Sequence, residues 1–68
     1  MSREMHEFEV TIEHATDRGI LVGYEGREIW LPESQIEYNE TELESVMNTG
    51  KEITIEVPGW LAEDKEMI

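Results

Sequence analysis

The 68-residue chain has no cysteine, two prolines, one phenylalanine and five basic residues. Without cysteine there is no disulfide and no thiolate zinc site to staple the fold. A chain this short sits near the size at which a single core is only marginally sufficient. Its stability must come from compact packing or from a second copy, which leaves homodimerisation open. No apolar run approaches the ~18 residues of a membrane span, and the N-terminus lacks the basic-then-apolar pattern of a secretory leader. The expectation is one small domain over residues 1–68, cytoplasmic and without membrane contact.

Lys and Arg are scarce against seventeen acidic residues, and 5 − 17 gives a formal charge of −12. Affinity for nucleic acid rests on basic side chains neutralising phosphates, so direct nucleic-acid binding is expected to be weak or absent. Anionic membranes are disfavoured for the same reason. Attraction runs toward basic surfaces, including those of proteins that themselves bind nucleic acid. The plainer reading is that acidity serves solubility.

Catalytic patterns are also missing. His6 and His14 are isolated, and no third ligand accompanies them at zinc spacing. The carboxylates do not follow a calcium-loop pattern, and the glycines do not form a phosphate loop. Ser34 and Ser45 have no histidine at motif spacing. No cofactor and no enzymatic activity are expected.

What is present is alternation. Phe8, Val10 and Ile12 share one parity, with Glu7, Glu9, Thr11 and Glu13 on the other. Ile20, Val22 and Tyr24, then Ile29 and Leu31, flank Glu25-Gly26 as a hairpin closed by a tight turn. Gly23 inside a strand suggests a bulge or a sharp coil, the device by which small sheets curve into barrels. Pro32 to Ile36 reads as a corner with Ile36 inward. Thr41-x-x-Glu44 is a capping-box pattern, which places a short helix at about residues 42–48. Ile53, Ile55 and Val57 form a last alternating strand, broken by Pro58-Gly59. The terminal segment should be amphipathic, docking Trp60 and Leu61. The predicted fold is mainly β: a small barrel of four to five antiparallel strands, one short helix and a helical C-terminal tail.

This order resembles small OB- or SH3-like barrels, in particular the RNA-binding OB domain repeated in the largest small-subunit ribosomal protein. The counterparts are Val10–Ile12, Asp17–Val22, Arg27–Ser34 and Gly50–Val57. A second pattern is narrower. Trp30-Leu31-Pro32-x-Ser34-Gln35-Ile36, followed by Val57-Pro58-x-Trp60-Leu61-Ala62, resembles short uncharacterised phage and prophage proteins. That resemblance implies a phage accessory protein acting in the host cytoplasm, and it supplies no catalytic residues.

The leading functional expectation is an acidic interaction module that binds a basic surface of a host protein. Its sharpest form is nucleic-acid mimicry against a nuclease or CRISPR surveillance complex. The candidate contact residues are Glu33, Glu37, Glu40, Glu42 and Glu44, from a window free of basic residues, with Glu7, Glu9 and Glu13 from the first strand. Trp30 joins them as an aromatic anchor if it is exposed. The expected arrangement is instead that Trp60 or Leu61 folds back and covers it. The alternatives are a nucleic-acid-binding OB module using Arg18, Arg27, Tyr24 and Trp30, and an acidic subunit of a phage assembly.

Overall fold

A computed structural model describes residues 4–68. Four strands form one antiparallel sheet: β1 (Met5–Ala15), β2 (Gly19–Tyr24), β3 (Arg27–Pro32) and β4 (Glu52–Pro58), in the order β3-β2-β1-β4. A 3-10 turn at Glu33–Gln35 and a short helix α1 (Glu40–Val46) connect β3 to β4. A second short helix, α2 (Gly59–Asp64), follows β4. The chain is mainly β, as its alternation implies. The polar stretch from Met1 to Met5 reads, from sequence alone, as a frayed end. Residues 1–3 lie outside the described part, whereas Met5 already pairs with Pro58.

β1 organises the sheet. Its first half, Met5 to Thr11, pairs with β4, and its second half, Thr11 to Ala15, pairs with β2. Parity sends Phe8, Val10 and Ile12 inward to meet Ile20, Val22, Ile29, Leu31, Ile53, Ile55 and Val57, and all ten are buried in one core. Ile36 from the corner, Leu43 from α1, and Leu61, Ala62 and Met67 from the C-terminal segment cover that core.

The sheet is not a closed barrel. β3 and β4 do not pair with each other. The sheet is nonetheless curled. Glu37 exchanges backbone hydrogen bonds with Glu56 on the outer edge of β4, at 2.9 and 2.8 Å. In a flat sheet that edge would lie about 19 Å from β3, four strand spacings away. The path from Pro32 to Glu37 includes the 3-10 turn at about 2.0 Å rise per residue, so it reaches only about 13 Å. The strands must bend toward the core for the bridge to form.

The irregularity lies in β1. The register shifts between Ile12 and His14, so Glu13 is the extra residue, and the expected bulge at Gly23 is absent. Gly23 is required for another reason: the Thr11 hydroxyl occupies the space a Cβ would take. Gly23→Ala should therefore destabilise the fold by roughly 1–3 kcal/mol, the usual cost of overpacking. Thr11→Ala in the same chain should recover most of the loss. A double variant that melts no higher than Gly23→Ala alone would refute this packing account.

Two local expectations change. The helix begins two residues earlier than its Thr41 pattern suggests. Asn39 is the N-cap, its Oδ1 accepting from the Glu42 N–H at 3.0 Å. Leu61 docks on the core as expected, but Trp60 does not and is 56% exposed. The first turn of α2 has one inward direction, and Leu61 and Ala62 fill it.

Candidate functional site

Alternation that buries one face of a sheet necessarily displays the other. Here the displayed face carries Glu7, Glu9 and Glu13 from β1, Glu28 and Trp30 from β3, and Glu52 and Glu56 from β4. Cross-strand register sets them in rows. Glu56 stands beside Glu7, Thr54 beside Glu9, and Glu52-Thr11-Gly23-Glu28 form a row across the sheet. His14-Leu21-Trp30 form the next row. Carboxylates two residues apart on one strand are roughly 6.6–6.8 Å apart.

Among the described residues no cation forms an ion pair with a carboxylate of this face. The ion pair among the described residues joins Arg27 to Glu66 at 3.9 Å, with an Arg27 Nη2 donation of 2.6 Å to the Glu66 carbonyl. Arg27 also borders the acidic rows at the hairpin end, where it lines an open cleft with Glu13, Glu28 and Glu52.

Trp30 is 48% exposed and is not covered by the C-terminal segment. Its aromatic neighbour is His14, edge-on at 6.2 Å between ring centroids. The covering minicore expected from Trp60 or Leu61 does not form, since Leu61 is used by the main core. Beyond Trp30 the surface changes sign. Arg18 and Lys65 line a shallow cleft of about 340 Å³ with Trp30, Leu31 and Pro32.

The window free of basic residues divides. Glu37 and Glu42 join Glu7 and Glu56 around an open cleft that also includes Tyr38, Asn39 and Thr54. Glu33 is half-buried and accepts from the Tyr38 hydroxyl at 3.4 Å. Burial, followed by the charges of Glu33 and Glu40, raises the Tyr38 hydroxyl above its ordinary range. Glu40 and Glu44 are exposed on α1. The window alone therefore makes no single surface, but its middle continues the acidic sheet face. Sequence reasoning missed Glu28, Glu52 and Glu56 as members of that face. The strand parity that identified Glu7, Glu9 and Glu13 applies equally to them.

The Glu56 carboxyl is raised above its ordinary value. The first cause is a hydrogen bond with the Glu37 carboxyl, followed by desolvation and the charges of Glu37 and Glu7. A raised carboxyl pKa means that the folded state holds the proton more tightly than the unfolded chain. This stabilisation is complete below the unfolded carboxyl pKa and is lost as pH rises through the folded one. Acidifying from neutrality into the carboxylate range should therefore raise the melting temperature, and Glu56→Gln should flatten that rise. An identical pH profile for the variant would refute this account of the Glu56 carboxyl.

The alternative residues for nucleic-acid binding are dispersed. Tyr24 packs edge-on against Phe8 with centroids 5.3 Å apart, and Arg27 is held by Glu66. Only Arg18 stays beside Trp30. Among the described residues no group of His, Asp and Glu is placed to hold a metal ion, and no helix is long and apolar enough to cross a membrane. No family model, curated protein or solved structure matches the chain.

Proposed function

We propose that this protein is an interaction module, not an enzyme, and that the outer face of its sheet binds a basic surface of another protein. The observation that carries this reading is the juxtaposition, on one side of the sheet, of the exposed Trp30 with Glu7, Glu9, Glu13, Glu28 and Glu52, none of which is ion-paired among the described residues. Carboxylates held on strands repel one another in the free protein, and an arriving cationic surface relieves that repulsion. An aromatic side chain at the border supplies the apolar anchor that charge alone does not.

The finer reading is nucleic-acid mimicry by a phage-type accessory protein in the host cytoplasm. Rows of carboxylates would occupy a groove built for phosphates on a nuclease or CRISPR surveillance complex. The curled sheet, stitched at Glu37–Glu56, supports a barrel-like scaffold of the OB or SH3 kind beneath that face. The Trp30–Ile36 and Val57–Ala62 pattern supports the phage origin.

The test is affinity capture of a partner with the wild-type chain and with a variant reversed at Glu9, Glu13 and Glu28, followed by competition with duplex and single-stranded nucleic acid. The expected result is a partner lost on charge reversal and displaced by nucleic acid. A partner retained by the reversed chain would refute the acidic face. Micromolar binding of nucleic acid by the isolated protein would instead favour the Arg18 and Lys65 side of Trp30.

A further inference from the structure

The two edges of the sheet are treated differently. Glu37 covers the outer edge of β4 with a reciprocal pair of backbone hydrogen bonds. No described segment does the same for β3. The hairpin turn shows which of its backbone groups are left over. Glu25 and Gly26 both have positive φ, at 49° and 76°, as a two-residue type I′ turn requires. In such a hairpin the closing pair, Tyr24 and Arg27, exchanges hydrogen bonds, and alternate pairs, Val22–Ile29 and Ile20–Leu31, do so as well. Glu28 and Trp30 therefore direct their N–H and C=O groups away from β2, toward the open edge. Pro32 ends that row because it has no N–H.

An open edge of this kind accepts an added strand. The charge order along it selects the occupant. Glu28 lies at the turn end, with Glu13 near it across Gly23. Trp30 is in the middle. Arg18 and Lys65 flank the Pro32 end. A second copy of this chain is a poor occupant. Pairing β3 with itself about Glu28 sets like charges opposite each other, and pairing about Trp30 still brings together two chains of −12.

We propose that the β3 edge binds an extended segment of the partner by antiparallel strand addition. Its side-chain order would be acidic, any, aromatic, any, basic. The basic residue would stand opposite Glu28, the aromatic beside Trp30, and the acidic residue near Arg18 and Lys65. Two reciprocal backbone pairs, at Trp30 and Glu28, supply the ladder. Opposite-charge and aromatic cross-strand neighbours supply the selectivity. This inference rests on the reading of the chain as an interaction module. It adds the chemistry of the partner segment.

The probe is the capped peptide Thr-Glu-Thr-Tyr-Thr-Lys-Thr, whose zero net charge removes bulk attraction to the protein. Titration to millimolar peptide should shift the Glu28 and Trp30 backbone amide resonances and slow their hydrogen exchange. N-methylation of the Tyr and Lys amides should weaken binding by about tenfold or more, since it removes two ladder bonds and the methyl groups block close approach. Exchanging Glu and Lys in the peptide should also weaken it.

Absence of amide shifts, or equal binding by the N-methylated peptide, overturns strand addition. So does protection of Glu28 and Trp30 that depends on protein concentration without peptide, which would assign the edge to a second copy. Because reversal at Glu28 would also alter this edge, the acidic face is tested apart from it by reversing Glu7 and Glu9 alone, and the two readings then fail separately.

Discussion

Ending the chain at Pro58 is expected to leave it largely unfolded at room temperature. The removed segment buries Leu61, Ala62 and Met67, which are 3%, 0% and 6% exposed. It also removes the hydrogen bond from the Gly59 N–H to the Glu4 carbonyl at 2.8 Å and the Arg27 contact to Glu66. Burying Leu61 and Met67 together is worth roughly 3–6 kcal/mol. A domain of this length has a total stability on the order of 3–10 kcal/mol. The loss is comparable with the whole, before the exposed core is considered. Circular dichroism against temperature would show the cooperative transition lost or shifted far downward. Trp60→Ala is the matched control, because an exposed side chain away from other features changes stability by only about ±0.5 kcal/mol. A truncated chain that still melts cooperatively near the wild-type temperature would show α2 to be an appendage.

Period-2 patterning made most of this core legible in advance. Each strand buries one parity, and the same rule that places Val10 inside places Glu9 outside. The turn at Glu25-Gly26 and the inward Ile36 were legible too, because few residues satisfy positive φ or end a strand as Pro32 does. Three features were not legible. Sheet closure depends on how strongly β1 bends at the Glu13 bulge, and nothing local in Ile12-Glu13-His14 announces an extra residue. The function of Gly23 depends on a hydroxyl from Thr11 on another strand, a contact that only the register creates. The direction of Trp60 was misjudged because a tryptophan beside a leucine offers two anchors to one docking site. The smaller, fully apolar pair Leu61-Ala62 fits beneath the sheet, and the indole faces solvent. For the candidate site, parity identified Glu7, Glu9 and Glu13 correctly as neighbours. The window free of basic residues grouped these acids by sequence, whereas the fold sends Glu33 toward Tyr38, Glu37 and Glu42 toward Glu7, and Glu40 and Glu44 to α1.

That division leads to the second large effect. Reversing Glu9, Glu13 and Glu28 to Lys should abolish binding of a cationic ligand, whereas reversing Glu40 and Glu44 should reduce it only modestly. The strand set raises the net charge by six (3 × 2) and the helix set by four (2 × 2), so bulk attraction alone would give losses graded in that ratio and not abolition beside a modest loss. The strand acids sit on one hydrogen-bonded sheet face in fixed register, close enough for one extended ligand to contact them together. The α1 acids are exposed on a seven-residue helix outside the sheet rows. Beyond the Debye length, about 8 Å at physiological ionic strength, charges outside the contact are largely screened. An oligolysine is a suitable first probe, with affinity measured by titration across a salt series. The wild-type chain should bind tightly at low salt and weaken steeply as salt rises. The strand-reversed variant should lose both the affinity and most of the salt dependence, and the helix-reversed variant should keep most of both. Folding should survive in each, because exposed charges contribute little to stability. Trp30→Ala should leave the salt dependence unchanged, since its contribution is apolar contact. Equal losses from the two reversals would mean that acidity acts only through net charge. The outer face would then be solvated decoration and not a site.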